Sequence, residues 1–373
     1  MNIYDYIDEY GVYSFDEKEL NEIDSAIFSF LSYADFNNIF DIPKMTINEI
    51  GRKHFGIHSK KEINVIAVRD GNNILKYIKD TKRYKDCVVS NYKYEGTKEI
   101  QFGVIAIEYK KGEIFISYEG TDDLLSGWSE NFHLSYEFPT KSHLKAIDYI
   151  NKNFTFSNKK LIIGGHSKGG NLALAAAMGA NYFVRNRIKK VYNFDGPGLL
   201  KENLNSLKFK RIENRYVQII PDYSVVGLLL DNINTVVVKS NNKTAFCHNI
   251  YYWVIKDDQF VKSKLSSSSK ALKKEIDNWM VKYTKDEKID FIDNLEKICG
   301  NANVVSLLDF KSKKTKILDL IYESKDLNEN SKKMLMDFVI IIFKSINNIT
   351  KEEIKQFLDG KIKIPKLRLK ERK

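Results

Sequence analysis

Cysteine is scarce in this chain. Three residues of 373, Cys87, Cys247 and Cys299, are widely spaced and odd in number, so neither a disulfide framework nor a cysteine-built zinc site is expected. Long hydrophobic runs are missing too. The longest strongly apolar stretch, residues 338–343, falls far short of the roughly 20 residues that span a bilayer. No window has the basic start and apolar centre of a signal peptide, and residues 1–13 are acidic and rich in tyrosine. These absences lead to the expectation of a soluble protein in a reducing compartment, with a cytoplasmic location.

Positive charge, by contrast, is in excess. Lys and Arg number 60 against 49 Asp and Glu, a net charge of +11. The excess is spread along the chain and concentrates only at the extreme C-terminus. No arginine-rich arm, zinc-finger spacing or RNA-recognition signature accompanies it, so nucleic acid is not an expected partner. Nucleotide-binding loops are lacking as well. A Walker loop places its lysine after the glycines, whereas Lys168 precedes Gly169-Gly170, and residues 164–170 do not spell Gly-x-Gly-x-x-Gly. No metal or organic cofactor is expected.

What the chain does have is the segment Lys160-Leu161-Ile162-Ile163-Gly164-Gly165-His166-Ser167-Lys168-Gly169-Gly170-Asn171. A short apolar run ends in Gly-x-Ser-x-Gly, and the alanine-rich residues 172–178 follow with helical character. This strand–turn–helix context suits a nucleophilic serine of the α/β-hydrolase kind. A turn that tight leaves no room for large side chains beside the serine, hence Gly165 and Gly169. It lifts Ser167 above the sheet edge, at a helix N-terminus with its positive potential. The Lys168 N–H then points to where an oxyanion would develop.

The remaining pattern is alternating. Ser14-Phe15-Asp16-Glu17 reads as a capping box, with helical spacing behind it through Tyr33, and a helix is expected near residues 73–82. Residues 102–109 and 113–118 read as strands joined by a turn at Lys110-Lys111-Gly112. A helix over 143–153 leads into the strand before Ser167, and strands are expected at 190–194, 215–220 and 233–239. Strands alternating with helices imply a mainly parallel sheet covered on both faces, so the fold class is α/β. Beyond about residue 256 the chain reads as Lys- and Glu-rich helices, among them 269–283 and 331–346, without strands. The expected organisation is residues 1–95 as N-terminal helical elements, 96–256 as the core and 257–373 as a helical extension with a basic tail.

A serine nucleophile needs a base, and the chain order in this fold is Ser, acid, His. Of six histidines only His248 lies downstream of Ser167, after the last expected strand. His166, inside the turn itself, reads as structural. For the acid, Asp222 follows a strand two elements after the serine and is the first candidate. Asp195, after the preceding strand, is the alternative.

Ile116-Ser117-Tyr118-Glu119-Gly120-Thr121-Asp122, followed by Gly127-Trp128 and Asn131, resembles the Arg-Gly-Thr…Trp block of class 3 lipases, and Gly165-His166-Ser167-Lys168-Gly169-Gly170 resembles their Gly-His-Ser-Leu-Gly-Gly. The variants here, with Phe-Asp-Gly-Pro-Gly at 194–198, are closer still to a lipase-like group of bacterial proteins without assigned function. The resemblance spans roughly residues 101–253. It implies an α/β-hydrolase core, a second oxyanion donor at Thr121 beside Lys168 N–H, and a triad of Ser167, His248 and an aspartate. Glu119 and Lys168 depart from the lipase pattern, which brings a Glu119–Lys168 pairing near the turn into view. The lipase Asp-x-Val pattern would align Ser224, not Asp222, with the acid, and so keeps Asp195 open.

The expected function is hydrolysis of a carboxylic ester, small-molecule or lipid, with Trp128 and Asp122 in the substrate site, a core indole being the alternative reading of Trp128. The alternative is a hydrolase fold that has lost turnover and serves binding or scaffolding. Residues 361–370 alternate basic and apolar side chains around Pro365. A solvated terminus accounts for them first, and a weak contact with an anionic membrane surface is the alternative.

Overall fold

Eight strands hydrogen-bond side by side, in the order they occur along the chain, in the computed structural model of the protein. The structure describes residues 1–57, 65–97, 100–121, 133, 134, 136–301 and 327–337. Strands β1 (Lys44–Thr46), β2 (Val88–Gly96), β3 (Gln101–Lys110) and β4 (Glu113–Tyr118) pair antiparallel. Every later pairing is parallel, through β5 (Lys160–His166), β6 (Ile188–Phe194), β7 (Tyr216–Pro221) and β8 (Thr235–Val238). The β3–β4 turn passes through Gly112 at a φ of 80°, a conformation other residues adopt only under strain.

Helices cover both faces. Ahead of β2 in the chain come α1 (Ile3–Tyr10), α2 (Glu22–Leu31), α3 (Ile47–Ile57) and α4 (Ile66–Ile78). Between the parallel strands lie α5 (Lys141–Phe154), α6 (Lys168–Gly179) and α7 (Tyr182–Arg185). The side-chain period of two sorts the strands between two apolar layers. Ile105, Ile107 and Phe115 join the layer of α1–α4, with Tyr6, Ile27, Phe28 and Leu75. Val104, Ala106, Ile114 and Ile116 join the opposite layer, with Ala146, Ile150, Leu172 and Ala176. Strands buried on both sides carry near-continuous apolar sequence, which is how β3 and β4 read. A mainly parallel sheet with helices on both faces and a serine at the turn from β5 into α6 is the α/β-hydrolase arrangement.

The N-terminal layer differs in detail from its sequence pattern. Ser14 and Glu17 do exchange the two bonds of a capping box, at 2.6 and 3.3 Å, but the chain makes only a turn there. The helix starts later, where Asn21 and Asp24 form a second box. Asp24 is then fully buried and meets Arg83 Nη2 at 2.5 Å, with Tyr84 donating to it at 2.6 Å. Those partners explain how a charged residue sits in an otherwise apolar helix face. The helix near 73–82 runs earlier, over Ile66–Ile78, and α1 was not read from the sequence although Ile3, Tyr6, Ile7 and Tyr10 keep helical spacing and are buried.

Contacts divide the chain into two compact units, Met1–Asp277 and Asn278–Lys373. The first holds the sheet, both helical layers and a small hairpin of β9 (Ile255–Lys256) and β10 (Gln259–Phe260). The described part of the second is helical, with Trp279 packed on Tyr283 and Phe291. No described helix is long and apolar enough to cross a membrane.

Candidate active site

Ser167 stands between the last residue of β5 and the first of α6 with φ 57° and ψ −132°. A non-glycine residue held there stores about 1–3 kcal/mol, and such strain persists only where the surroundings enforce it. Here they do. A Cβ on Gly165 would lie 2.3 Å from the Gly169 carbonyl carbon, and one on Gly169 would lie 2.1 Å from the Tyr118 oxygen. Any side chain at either position would push the turn off β4. Ser167 N–H donates to the Phe194 carbonyl at 2.9 Å, which extends the β5–β6 ladder into the turn. Ser167 itself is only 6% exposed.

His248 sits in a short 3₁₀ turn, Ala245–His248, and its Nδ1 lies 2.6 Å from Asp195 Oδ2. The carboxylate accepts, so Nδ1 carries a proton, and in the neutral ring the lone pair is then on Nε2, the tautomer a general base needs. Asp195 is completely buried and immediately follows β6, at a φ of 49° that aspartate tolerates better than most residues. Burial pushes its carboxyl pKa up, while donors from His248, from Ser224 Oγ at 2.5 Å and from Gly227 N–H at 3.2 Å hold it down. The Asp195 turn also packs on the serine, since a Cβ on Gly196 would meet the Ser167 carbonyl oxygen at 2.1 Å.

Asp222, the first candidate from the sequence, is not beside His248. Its Oδ1 accepts the Ser240 N–H at 3.1 Å and its Oδ2 the Ser263 hydroxyl at 3.1 Å. Those bonds tie the end of β7 to the segments after β8. The carboxylate that meets the imidazole is that of Asp195, and Ser224, two residues past Asp222, supplies a hydroxyl to it. The alternative named from the sequence is the one this geometry brings together.

Several residues of the surroundings went unread in the sequence. Tyr33 follows α2, and its hydroxyl lies 3.0 Å from His166 Nδ1. Asn249, next to His248, donates to Asp70 of α4 at 2.5 Å, and the Tyr251 hydroxyl donates to the Asp70 carbonyl at 2.6 Å. The His143 Nε2 meets Asn171 Oδ1 at 2.5 Å, and Asn171 donates to the Gly198 carbonyl at 2.7 Å, bracing the segment after Asp195. No local motif marks these positions, because each partner is remote in sequence.

Thr121 follows Gly120 just past β4, and Lys168 opens α6 on the other side of the serine. A Cβ on Gly120 would lie 2.5 Å from the His166 carbonyl, so the backbone before Thr121 packs directly against the turn. The buried Lys168 Nζ donates to the Gln101 carbonyl at 2.7 Å. Glu119 lies against Gly103, where a Cβ would be 1.8 Å from its Oε2. Asp122, Trp128 and Asn131 lie outside the described residues, as does the basic stretch 361–370. Among the described residues, no group of three or more His, Cys, Asp or Glu is arranged to hold a metal ion.

The chain matches the Mbeg1-like family over residues 78–297, more than half its length. No curated protein matches it. Among solved structures it is similar to M37 lipase, at 14% identity over 56% of this chain and 70% of that one, with a TM-score of 0.34. The lipase from Rhizopus microsporus var. chinensis aligns at 12% identity over 66% and 79%, with a TM-score of 0.35. The Rhizomucor miehei lipase propeptide complex aligns at 10% identity over 60% and 70%, with a TM-score of 0.33.

Proposed function

The chain belongs to the Mbeg1-like family, and from the geometry at its β5–α6 turn we propose that it is a serine hydrolase that cleaves a carboxylic ester. The observation that carries this reading is the His248 Nδ1–Asp195 Oδ2 bond of 2.6 Å to a completely buried carboxylate. His248 Nε2 takes the proton of the Ser167 hydroxyl as the oxygen attacks the ester carbonyl. The tetrahedral oxyanion is held by the N–H groups of Lys168 and Thr121. Collapse expels the alcohol, which takes the proton back from His248, and leaves an acyl-enzyme. Water, activated by the same imidazole, releases the acid. Asp195 stays ionised throughout and balances the imidazolium.

The substrate is a small-molecule or lipid ester. The reading of a fold without turnover is motivated by the unsettled acid and by the basic Lys168 at the turn, and the carboxylate bonded to His248 weighs against the first of these.

The test is hydrolysis of p-nitrophenyl esters of graded acyl length by the wild type and by Ser167→Ala. Turnover by the wild type, lowered by about a million-fold in Ser167→Ala, is the expected result. Equal rates in both, with the variant folded, would overturn the assignment of the nucleophile.

A further inference from the structure

A second imidazole is built into this site. His166 immediately precedes Ser167 and is buried, with its ring centroid 4.2 Å from that of His248 and 4.4 Å from that of Phe30. Its Nε2 lies 2.8 Å from the His248 carbonyl oxygen and its Nδ1 lies 3.0 Å from the Tyr33 hydroxyl. A carbonyl oxygen only accepts, so Nε2 must carry a proton. Burial, and then the neighbouring His248, hold the ring's pKa well below its ordinary value, so the ring is neutral. A neutral ring has one N–H, so Nδ1 is an acceptor, and the Tyr33 hydroxyl lies closer to it, at 3.0 Å, than to the His166 carbonyl oxygen at 3.3 Å. The tautomer of His166 is thus fixed from both ends.

The Tyr33 hydroxyl also fills the space over Gly120, where a Cβ would lie 1.9 Å from it. One tyrosine, carried from the end of α2, touches the strand end that leads to Thr121 and the histidine that leads to Ser167. Through His166 it reaches the backbone of His248.

We propose that Tyr33 and His166 are a positioning pair that sets the backbone and ring of His248 against Ser167. The proposal rests on the serine-hydrolase reading for its kinetic consequence, but the bond pattern stands on geometry alone. Without the Tyr33 hydroxyl, only the His248 carbonyl still selects the tautomer, the buried Nδ1 loses its donor, and the Nδ1–H form gains population. In that form the Nε2 lone pair faces the His248 carbonyl, two acceptors in contact, and the His248 turn moves away. Both side chains are buried, so the loss should fall on kcat rather than on KM.

The experiment uses the full chain with Tyr33→Phe, which deletes one oxygen and keeps the ring, and with His166→Phe and His166→Gln. Nitrogen-15 chemical shifts of the imidazoles give the tautomers, and p-nitrophenyl ester turnover gives kcat and KM. Expected are an Nε2–H His166 in the wild type, a mixture of tautomers in Tyr33→Phe, and a kcat about tenfold lower there at unchanged KM. His166→Phe loses about a hundredfold, and His166→Gln, whose amide N–H still reaches the His248 carbonyl, recovers part of it. A wild-type His166 protonated on Nδ1, or a Tyr33→Phe enzyme with wild-type tautomers and kcat, would overturn the proposal. A wild type without esterase activity would defeat the hydrolase reading, and the tautomer spectra would still decide this one.

Discussion

Two buried aspartates stand at neighbouring strand ends, Asp195 after β6 and Asp222 after β7, and their partners separate them. Asp222 receives a backbone N–H and a serine hydroxyl, both from segments that it pins to the sheet. Asp195 receives an imidazole N–H, a serine hydroxyl and a backbone N–H, and its chain turns at positive φ. Bonds of the first kind fix local backbone. Bonds of the second kind gather three donors on a carboxylate whose burial pushes its pKa up. The contrast teaches that chain position nominates candidate acids, and that their donors are what tell the two candidates apart.

The sharpest way to break the comparison is to neutralise each carboxylate. Asp195→Asn should lower kcat by on the order of ten thousandfold, since an amide cannot hold His248 in the useful tautomer. Burial raises the Asp195 pKa, so the folded state disfavours its ionised form, and this penalty is present at neutral pH and vanishes on acidification below 3.8. Asp195→Asn should accordingly keep the wild-type melting temperature or exceed it. Asp222→Asn should do the reverse. Its turnover should stay within a few-fold, and its stability should fall by about 1–3 kcal/mol as the Ser240 and Ser263 bonds weaken. Comparable rates in the two variants would erase the distinction.

Ser224→Ala sharpens the same contrast at smaller amplitude. It removes one charge-assisted donor from Asp195 and should reduce kcat by about tenfold with KM unchanged. Steady-state kinetics over a range of ester concentrations separates the two parameters.

Acid stability is a further discriminator. His166 is held neutral in the folded state, with its pKa well below 6.5. Above pH 6.5 folded and unfolded chains bind the same number of protons there. Below it the unfolded chain takes up a proton that the folded one does not, so stability drops as pH falls toward the folded pKa, by up to about 1.4 kcal/mol per unit. Urea titrations between pH 7 and pH 5 should show this slope in the wild type and a shallower one in His166→Phe.

How much of this was legible in the sequence follows the range of the interactions. The β5–Ser167–α6 turn was readable because its constraints are local: Gly165 and Gly169 must be small for the turn to close on β4. Strands β3 to β8 were readable from apolar runs and turns. Which aspartate meets His248 was not, because it depends on a positive φ at Asp195 and on where a turn 53 residues downstream lands. Tyr33 was out of reach for the same reason, lying 133 residues from His166. The Ser14 cap was read correctly as local geometry and wrongly as a helix start, since Asn21 and Asp24 take over that role.

The smallest expected effect concerns the basic tail. A chain ending at Asp359 should sediment with anionic vesicles no more and no less than the full chain at physiological salt. A clear loss of binding on truncation would favour a membrane contact through residues 361–370.

The most direct measurement is reaction with a fluorophosphonate, followed by mass spectrometry of the digested protein. The account predicts a single phosphonyl adduct on Ser167, formed by the wild type and by Asp222→Asn and strongly slowed in Asp195→Asn. No adduct on the folded wild type, or one on a different serine, would contradict it.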